Sequence, residues 1–358
     1  MTPRPRVLQV VTRAQRRGAE ASALELAVRL RQLGHVTDVV ALAPAAEGST
    51  LPVEVLGSTT LGPGTLRRLR TWVSRADVVI AHGSRTLPAV VLASVGLRSR
   101  LVYQNIGDPG YWAATPARRW RVRAQLARMS AVAALTEQAM VMLRDDFGVA
   151  EDRLHVIRNW RDTDWFRPPT PEEREAARRR LDIDVSEPVA CVVGALSPEK
   201  DVTLAIHAAH RSPGLRLLVV GDGPERHRLE ALADGGAGRI DFLGALGDVR
   251  PILHASDVLV LTSASEGVPG AVIEAGLCGL PVVTTRVGFV TDVVVDGTTG
   301  IVVPDRDPVS VARALSTAME RRDDLGPRAR SWCRTRFDAR VVTDQWQALI
   351  EQVARTPS

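Results

Sequence analysis

Short apolar runs recur along the chain, and they are too continuous to be strands with one wet face. Arg6 to Val11, Val36 to Ala43, Asp77 to Ala81, Leu101 to Asn105, Val132 to Leu135 and Leu154 to Ile157 occupy the first part. Val189 to Val193, Leu215 to Val220, Ile240 to Gly244, Asp257 to Leu261 and Pro281 to Thr284 follow. A strand covered on both faces reads this way, whereas a half-solvated strand alternates polar with apolar. Between the runs lie helical stretches, among them 19–33 with Leu26, Leu30 and Leu33 in phase, 117–128, 137–147 and an amphipathic 341–354. Strand–helix alternation predicts an α/β fold with parallel sheets.

Length and composition set the number of domains. With 358 residues, 45% hydrophobic and 4% aromatic, the chain has enough core for two domains of ordinary size. Pro168, Pro169 and the charged run to Arg180 predict an interdomain linker over 164–187. Cys191, Cys278 and Cys333 are far apart and form no CxxC, which excludes a disulfide framework or zinc motif and suits a reducing cytoplasm. The apolar run near Met1 is too short for a signal segment, and no 18-residue apolar stretch follows.

Charge divides the chain unevenly. Met1 to Thr163 holds 23 Arg against 13 Asp and Glu, a balance of +10, while Asp164 to Ser358 holds 23 Lys and Arg against 28 acids, −5. A basic half suits an anionic membrane face, a phosphorylated acceptor or nucleic acid. Arg118–Arg128, with five arginines and Trp120, is the candidate for peripheral membrane contact, Trp120 and Val122 anchoring it.

The chemistry concentrates in Thr262 to Val283, TSASEGVPGAVIEAGLCGLPVV. A strand ends, a turn through Glu266, Gly267, Pro269 and Gly270 follows, and a helix starts near Ala271. That helix start presents free N–H groups and the positive end of its dipole, an anion site. Glu266 and Glu274 are odd company for an anion unless each has another partner, and an ordinary βαβ corner with solvated glutamates remains the alternative. Gly18 opens another helix after a strand, and His82 ends a strand where α/β proteins place ligand contacts. Tyr103, Asn105 and Asp108 run into a loop able to line an acceptor pocket. Lys200 is the sole lysine among 46 basic residues, which suggests a place where a compact ammonium suits a phosphate better than a planar fork. Gly221-Asp222-Gly223 lacks the third glycine of a dinucleotide fingerprint, which argues against an oxidoreductase. The Asp-x-Asp pairs at 162/164, 182/184 and 305/307 lie in polar loops and read as solvated surface rather than a metal site.

In order, Arg17-Gly18-Ala19-Glu20, the IAHG ending beyond His82, VIRNWRDTDWFRP, VGALSPEK, VVGDGPE, FLG and the E-x7-E pair Glu266/Glu274 resemble the retaining glycosyltransferases of family 4 across almost the whole chain. The resemblance implies the GT-B fold, two Rossmann-like doubly wound parallel-sheet domains facing across a cleft. It places an acceptor domain at 1–163 plus the C-terminal helix 341–358, and a nucleotide-sugar donor domain at 188–340. It further implies that Gly18, Lys200 and the backbone at Val268, Pro269 and Gly270 meet the donor diphosphate. Glu274 would hold the ribose, and His82 and Glu266, with Lys200, would serve the transferred sugar and catalysis. Gly221, Gly223, Gly244 and Leu246 would surround the base. The implied reaction is retaining transfer of a hexosyl or N-acetylhexosaminyl group from a nucleotide-sugar, a UDP-sugar by expectation. The acceptor hydroxyl would belong to a glycan, a lipid-linked sugar or a small molecule. No cofactor, essential metal or nucleic acid is expected, and the expected location is cytoplasmic, peripheral to the inner membrane face where Arg118–Arg128 allows. One departure stands out: Ala195 occupies a position where the family often has arginine, with Arg16, Arg17 or Arg286 as candidate substitutes. A nucleotide-sugar 2-epimerase of the same architecture and a non-catalytic nucleotide-sugar-binding protein are the competing functions.

Overall fold

The computed structural model describes residues 4–15, 18–46, 50–112, 115–236 and 238–355. Arg16 and Arg17 lie outside the described residues. The chain divides into two compact units, Met1–Asn159 with Arg340–Ser358, and Trp160–Ala339.

In the first unit the apolar runs become β1 (Val7–Arg13), β2 (Thr37–Ala43), β4 (Val78–His82), β5 (Arg100–Gln104), β6 (Ala131–Ala134) and β7 (Leu154–Val156), and a two-residue strand outside those runs, β3 (Glu54–Val55), joins them. They form one parallel sheet in the order β3-β2-β1-β4-β5-β6-β7. The second unit contributes β8 (Val189–Val193), β9 (Arg216–Val220), β10 (Arg239–Gly244), β11 (Val258–Leu261), β12 (Val282–Thr285) and β13 (Gly300–Val303), ordered β10-β9-β8-β11-β12-β13. Parallel neighbours require long crossovers, which the intervening helices supply, so both faces of each sheet are covered and the strands must be apolar throughout. Ile80, Val102 and Val132 in the first sheet and Leu217, Val219 and Val260 in the second are accordingly buried. Removing one such side chain from water contributes roughly 1.5–3 kcal/mol.

The strand orders determine where ligands can meet backbone. Each sheet grows outward in both directions from its first strand, leaving a reversal point between β1 and β4 and another between β8 and β11, where the crevice beyond the strand ends opens. Gly18 follows β1 and His82 ends β4 at the first point, and Lys200 and Glu266 follow β8 and β11 at the second.

One region differs from expectation. The segment 164–187 belongs to the second unit and contains a helix, Pro171–Arg180. Its start is a capping box: Thr170 Oγ1 accepts from the Glu173 N–H, and Glu173 accepts from the Thr170 N–H. Two of its arginines are partnered rather than solvated, since Arg174 and Arg178 donate to Asp257, on which Arg322 also converges. The last helix, Ala339–Arg355, buries Val342, Trp346, Leu349, Ile350 and Val353, a stripe at helical spacing, and groups with the first unit from Arg340 onward.

Candidate functional site

At the second reversal point, the loops beyond β8 and β11 are stitched together. A tight turn over Pro198–Lys200 ends at Asp201, whose φ of 41° is left-handed. The Ala264 N–H donates to Glu199 O at 2.7 Å, and Thr262 Oγ1 to Asp201 O at 2.8 Å. Arg306 clamps the same junction, donating to Thr262 O at 2.7 Å, Ser263 O at 2.9 Å and Asp201 Oδ2 at 2.6 Å. This frame brings Lys200 Nζ to Glu266 Oε1 at 2.5 Å, where Ser263 Oγ also donates at 2.7 Å. Behind them the loop after β12 presses on the turn: a Cβ on Gly288 (φ +47°) would lie 1.8 Å from Glu266 O, so only glycine fits.

The helix after the turn runs Gly270–Leu277, with Pro269 as an extended N-cap and no side-chain cap. The amides of Gly270 and Ala271, its first two helical residues, are beyond the reach of any intrahelical acceptor. Pro269 itself has no N–H, so the expectation that the backbone from Val268 to Gly270 donates throughout is corrected at that position. Further along the helix Glu274 accepts from Arg161 Nε at 2.5 Å. Each glutamate beside the helix start therefore has a basic partner, Lys200 for Glu266 and Arg161 for Glu274. The two carboxylates beside the helix start thus have their charges offset within the protein.

The first unit holds a buried polar cluster instead of an open site. His82 is 2% exposed, with Nδ1 2.5 Å from Gln104 Oε1 and Nε2 2.9 Å from Gln9 Oε1. Burial lowers its pKa to about 4, with the Gln104 hydrogen bond opposing the shift, so the ring is neutral. A neutral imidazole donates through one nitrogen and accepts at the other. Gln9 Nε2 is buried without a partner, and turning that amide over lets it donate to His82 Nε2 while Nδ1–H donates to Gln104. Neither ring nitrogen is left for a sugar. Tyr103 and Asn105 are likewise fully buried. Tyr103 Oη donates to Asn105 Oδ1 at 3.3 Å, Asn105 Nδ2 donates to Gly107 O at 2.9 Å, and burial pushes the Tyr103 phenol above its ordinary pKa. Of the three residues expected to line an acceptor pocket, Asp108 alone is near the surface, where Oδ1 caps the Gly110 N–H.

Two family models match the chain: "Glycosyl transferases group 1" over residues 173–332 and "Glycosyltransferase Family 4" over residues 16–165. The chain belongs to glycosyltransferase family 4. Lys200, Glu266 and Glu274 fall inside the first match, and Gly18, His82 and Arg161 inside the second. A D-inositol 3-phosphate glycosyltransferase of Geodermatophilus obscurus is 33% identical over 293 residues, 74% of this chain and 61% of that protein. The lipopolysaccharide core biosynthesis glycosyltransferase LpsE of Rhizobium meliloti is 33% identical over 178 residues, 48% of this chain and 52% of its own length. The chain thus matches only about half to three fifths of the length of these relatives. Among solved structures, Anabaena Alr3699/HepE in complex with UDP and glucose superposes with a TM-score of 0.84, covering 97% of this chain and 99% of that one at 22% identity. The sucrose-phosphate synthase of Thermosynechococcus elongatus gives 0.84 at 19% identity over 98% and 99%. At these identities the structural likenesses establish the GT-B fold.

Other sequence expectations find their place in this frame. Gly221 and Gly223 are needed by packing of the chain on itself: a Cβ on Gly221 (φ +140°) would lie 1.7 Å from Gly194 O, and one on Gly223 2.4 Å from Leu196 O. Gly244 receives the Gly221 N–H at 2.8 Å, and Leu246 is exposed next to it. Gly18 meets no protein atom within 4 Å of an added Cβ, so no described neighbour demands glycine there. The Asp-x-Asp pairs include turn caps: Asp162 Oδ1 accepts from Asp164 and Trp165 N–H, Asp184 from Ser186, and Asp305 from Asp307. Ala195 is exposed, as is Arg286. On the helix Pro116–Leu126, Trp120 is 74% exposed but Val122 is buried, so Val122 is no anchor. No helix among the described residues is long and apolar enough to cross a membrane.

Sequence reasoning passed over Arg161, Arg306 and Gln9. The last had a signal, a polar residue inside the apolar run Val7-Leu8-Gln9-Val10-Val11; the arginines had none, being two among many.

Proposed function

We propose that the chain is a retaining glycosyltransferase that moves a hexosyl or N-acetylhexosaminyl group from a UDP-sugar to a hydroxyl acceptor without a bound metal. The observation that carries the reading is the uncapped helix start at Gly270, flanked by two carboxylates that each already have a basic partner. A diphosphate fits there. Lys200 has three N–H donors and gives one to Glu266, leaving others for phosphate oxygens. Glu274 keeps Oε2 for ribose hydroxyls, and the Gly244–Leu246 loop borders the base. The relatives are named as sugar transferases, and the HepE structures contain UDP or UDP-glucose, which supports the uracil nucleotide.

In the reaction the bond from the sugar's anomeric carbon to the diphosphate oxygen breaks, its electron pair staying on that oxygen. The acceptor hydroxyl oxygen bonds to the same face of the anomeric carbon, and its proton passes to the departing diphosphate. Lys200 and the helix amides stabilise the negative charge that grows on the leaving group, which lowers the barrier because they are already oriented toward it. The acceptor lies at a membrane face, as the exposed Trp120 and the arginines around it favour.

Thermal-shift screening with UDP, GDP, dTDP and ADP, then transfer assays in EDTA with the anomeric configuration read by NMR, tests the reading. Stabilisation by UDP and a product of retained configuration are expected. An inverted product, epimerisation at C2 without transfer, or a strict metal requirement would each refute it. Co-sedimentation with phosphatidylglycerol vesicles, absent with phosphatidylcholine alone and reduced by Trp120→Ala, checks the membrane contact; equal binding to both refutes it.

A further inference from the structure

Arg161 is placed at the helix start in a way that Glu274 alone does not explain. Its backbone is held on both sides, the N–H donating to Phe337 O at 2.8 Å and the carbonyl accepting from the Ala339 N–H at 3.1 Å. Nε donates to Glu274 Oε1 at 2.5 Å and Nη1 to Trp160 O at 2.7 Å. Nη2 donates to no described protein group, although the side chain is only 19% exposed. The guanidinium lies directly over the first helical residue: a Cβ on Gly270 would sit 2.0 Å from Nη2.

A cation at the positive end of a helix is electrostatically unfavourable, since the dipole prefers an anion there. Glu274 offsets one charge, and the spare Nη2 donors lie beside Gly270, the residue that opens the helix. Arg306, the guanidinium that clamps this junction, spends its donors on Thr262, Ser263, Thr285 and Asp201. Ala195, exposed on the loop beyond β8, has no charge to contribute.

We propose that Arg161 is a donor-site residue whose Nη2 hydrogen-bonds the nucleotide diphosphate while its Nε aims Glu274 at the ribose, so that it supplies the cation Ala195 lacks. The proposal rests on the transferase reading above. A guanidinium suits this double task because its planar fork presents separate donors in fixed directions, whereas an ammonium is a point charge.

The test is isothermal titration of UDP and of uridine into the wild type, Arg161→Gln, Gly270→Ala and the double variant Arg161→Gln/Glu274→Gln. Uridine reports base and ribose, and the UDP-to-uridine affinity ratio isolates the diphosphate. Arg161→Gln is expected to lower that ratio about 10- to 100-fold, the range for a charged hydrogen bond. The double variant should keep the lowered ratio. Gly270→Ala, which retains the arginine but displaces its guanidinium, should lower the ratio as well, and it decides the matter should Arg161→Gln not fold. An unchanged ratio in the folded variants overturns the proposal. So does its recovery in the double variant, which would reduce Arg161 to neutralising Glu274. A wild type that binds none of UDP, GDP, ADP and dTDP overturns instead the transferase reading, which keeps the two failures apart.

Discussion

His82 offers a sharp quantitative prediction, because two roles for one residue differ in their pH dependence. In the folded chain burial holds its pKa at about 4, against 6.5 for an ordinary histidine. The folded pKa is depressed, so above pH 6.5 both folded and unfolded chains carry a neutral ring and nothing is lost. As the pH falls below 6.5 the unfolded chain takes up a proton that the folded chain refuses, and stability declines until the folded ring also protonates near pH 4. The interval from 6.5 to about 4, at about 1.4 kcal/mol per unit, limits the effect to roughly 3 kcal/mol, of which about 2 kcal/mol falls between about pH 7 and pH 5. Urea denaturation at a series of pH values, on the wild type and on His82→Gln, isolates this contribution as the difference between the two profiles. Long-range 15N-edited spectra of the imidazole rings, with His82 assigned through the same variant, read its protonation directly. Parallel stability profiles, or a ring that titrates near 6.5, would refute the buried Gln9–His82–Gln104 cluster and return His82 to the open position of a sugar ligand.

Three further predictions follow from particular contacts. Lys200→Ala removes the proposed diphosphate donor and leaves Glu266 without its basic partner, so kcat/KM should fall by about 100-fold or more with the far-ultraviolet circular dichroism unchanged; near-normal transfer by the folded variant would reject the role proposed for Lys200. Asp257→Ala strands Arg174, Arg178 and Arg322 around a mostly buried site and should cost about 3–5 kcal/mol in urea denaturation, a loss under about 1 kcal/mol showing that the arginines find other partners. Gly221→Ala drives a methyl into Gly194 O, so the second unit should be destabilised by several kcal/mol, about 2 at least, whether or not nucleotide is present; a wild-type melting temperature would contradict the loop packing.

Much of the architecture was legible in the chain because parallel strands covered on both faces must be apolar at nearly every position. Runs such as Val78 to His82 and Val258 to Leu261 announced themselves. The short edge strand Glu54–Val55 and the arginine-rich helix Pro171–Arg180 did not. A two-residue strand has no period to detect, and a helix whose polar side chains find specific partners resembles a solvated linker. Thr170-Pro171-Glu172-Glu173 was nevertheless a readable helix start, and the prolines beside it drew the reading toward a linker.

The candidate site divides along the same line. Sequence alone determined that a turn with Glu266 precedes a helix bearing Glu274, and that the sole lysine follows the strand ending at Val193, because these depend on local pattern and composition. Only the tertiary structure decided which cations meet which carboxylates: Arg161 reaches Glu274 across 113 positions, and Arg306 reaches Asp201 across 105. Pairings at such separations are set by how strands cross over and by the direction each long side chain takes, and neither is encoded within any one stretch of chain. The burial of His82 is of the same kind, since a histidine at a strand end has the same letters around it whether it faces solvent or two glutamines from neighbouring strands.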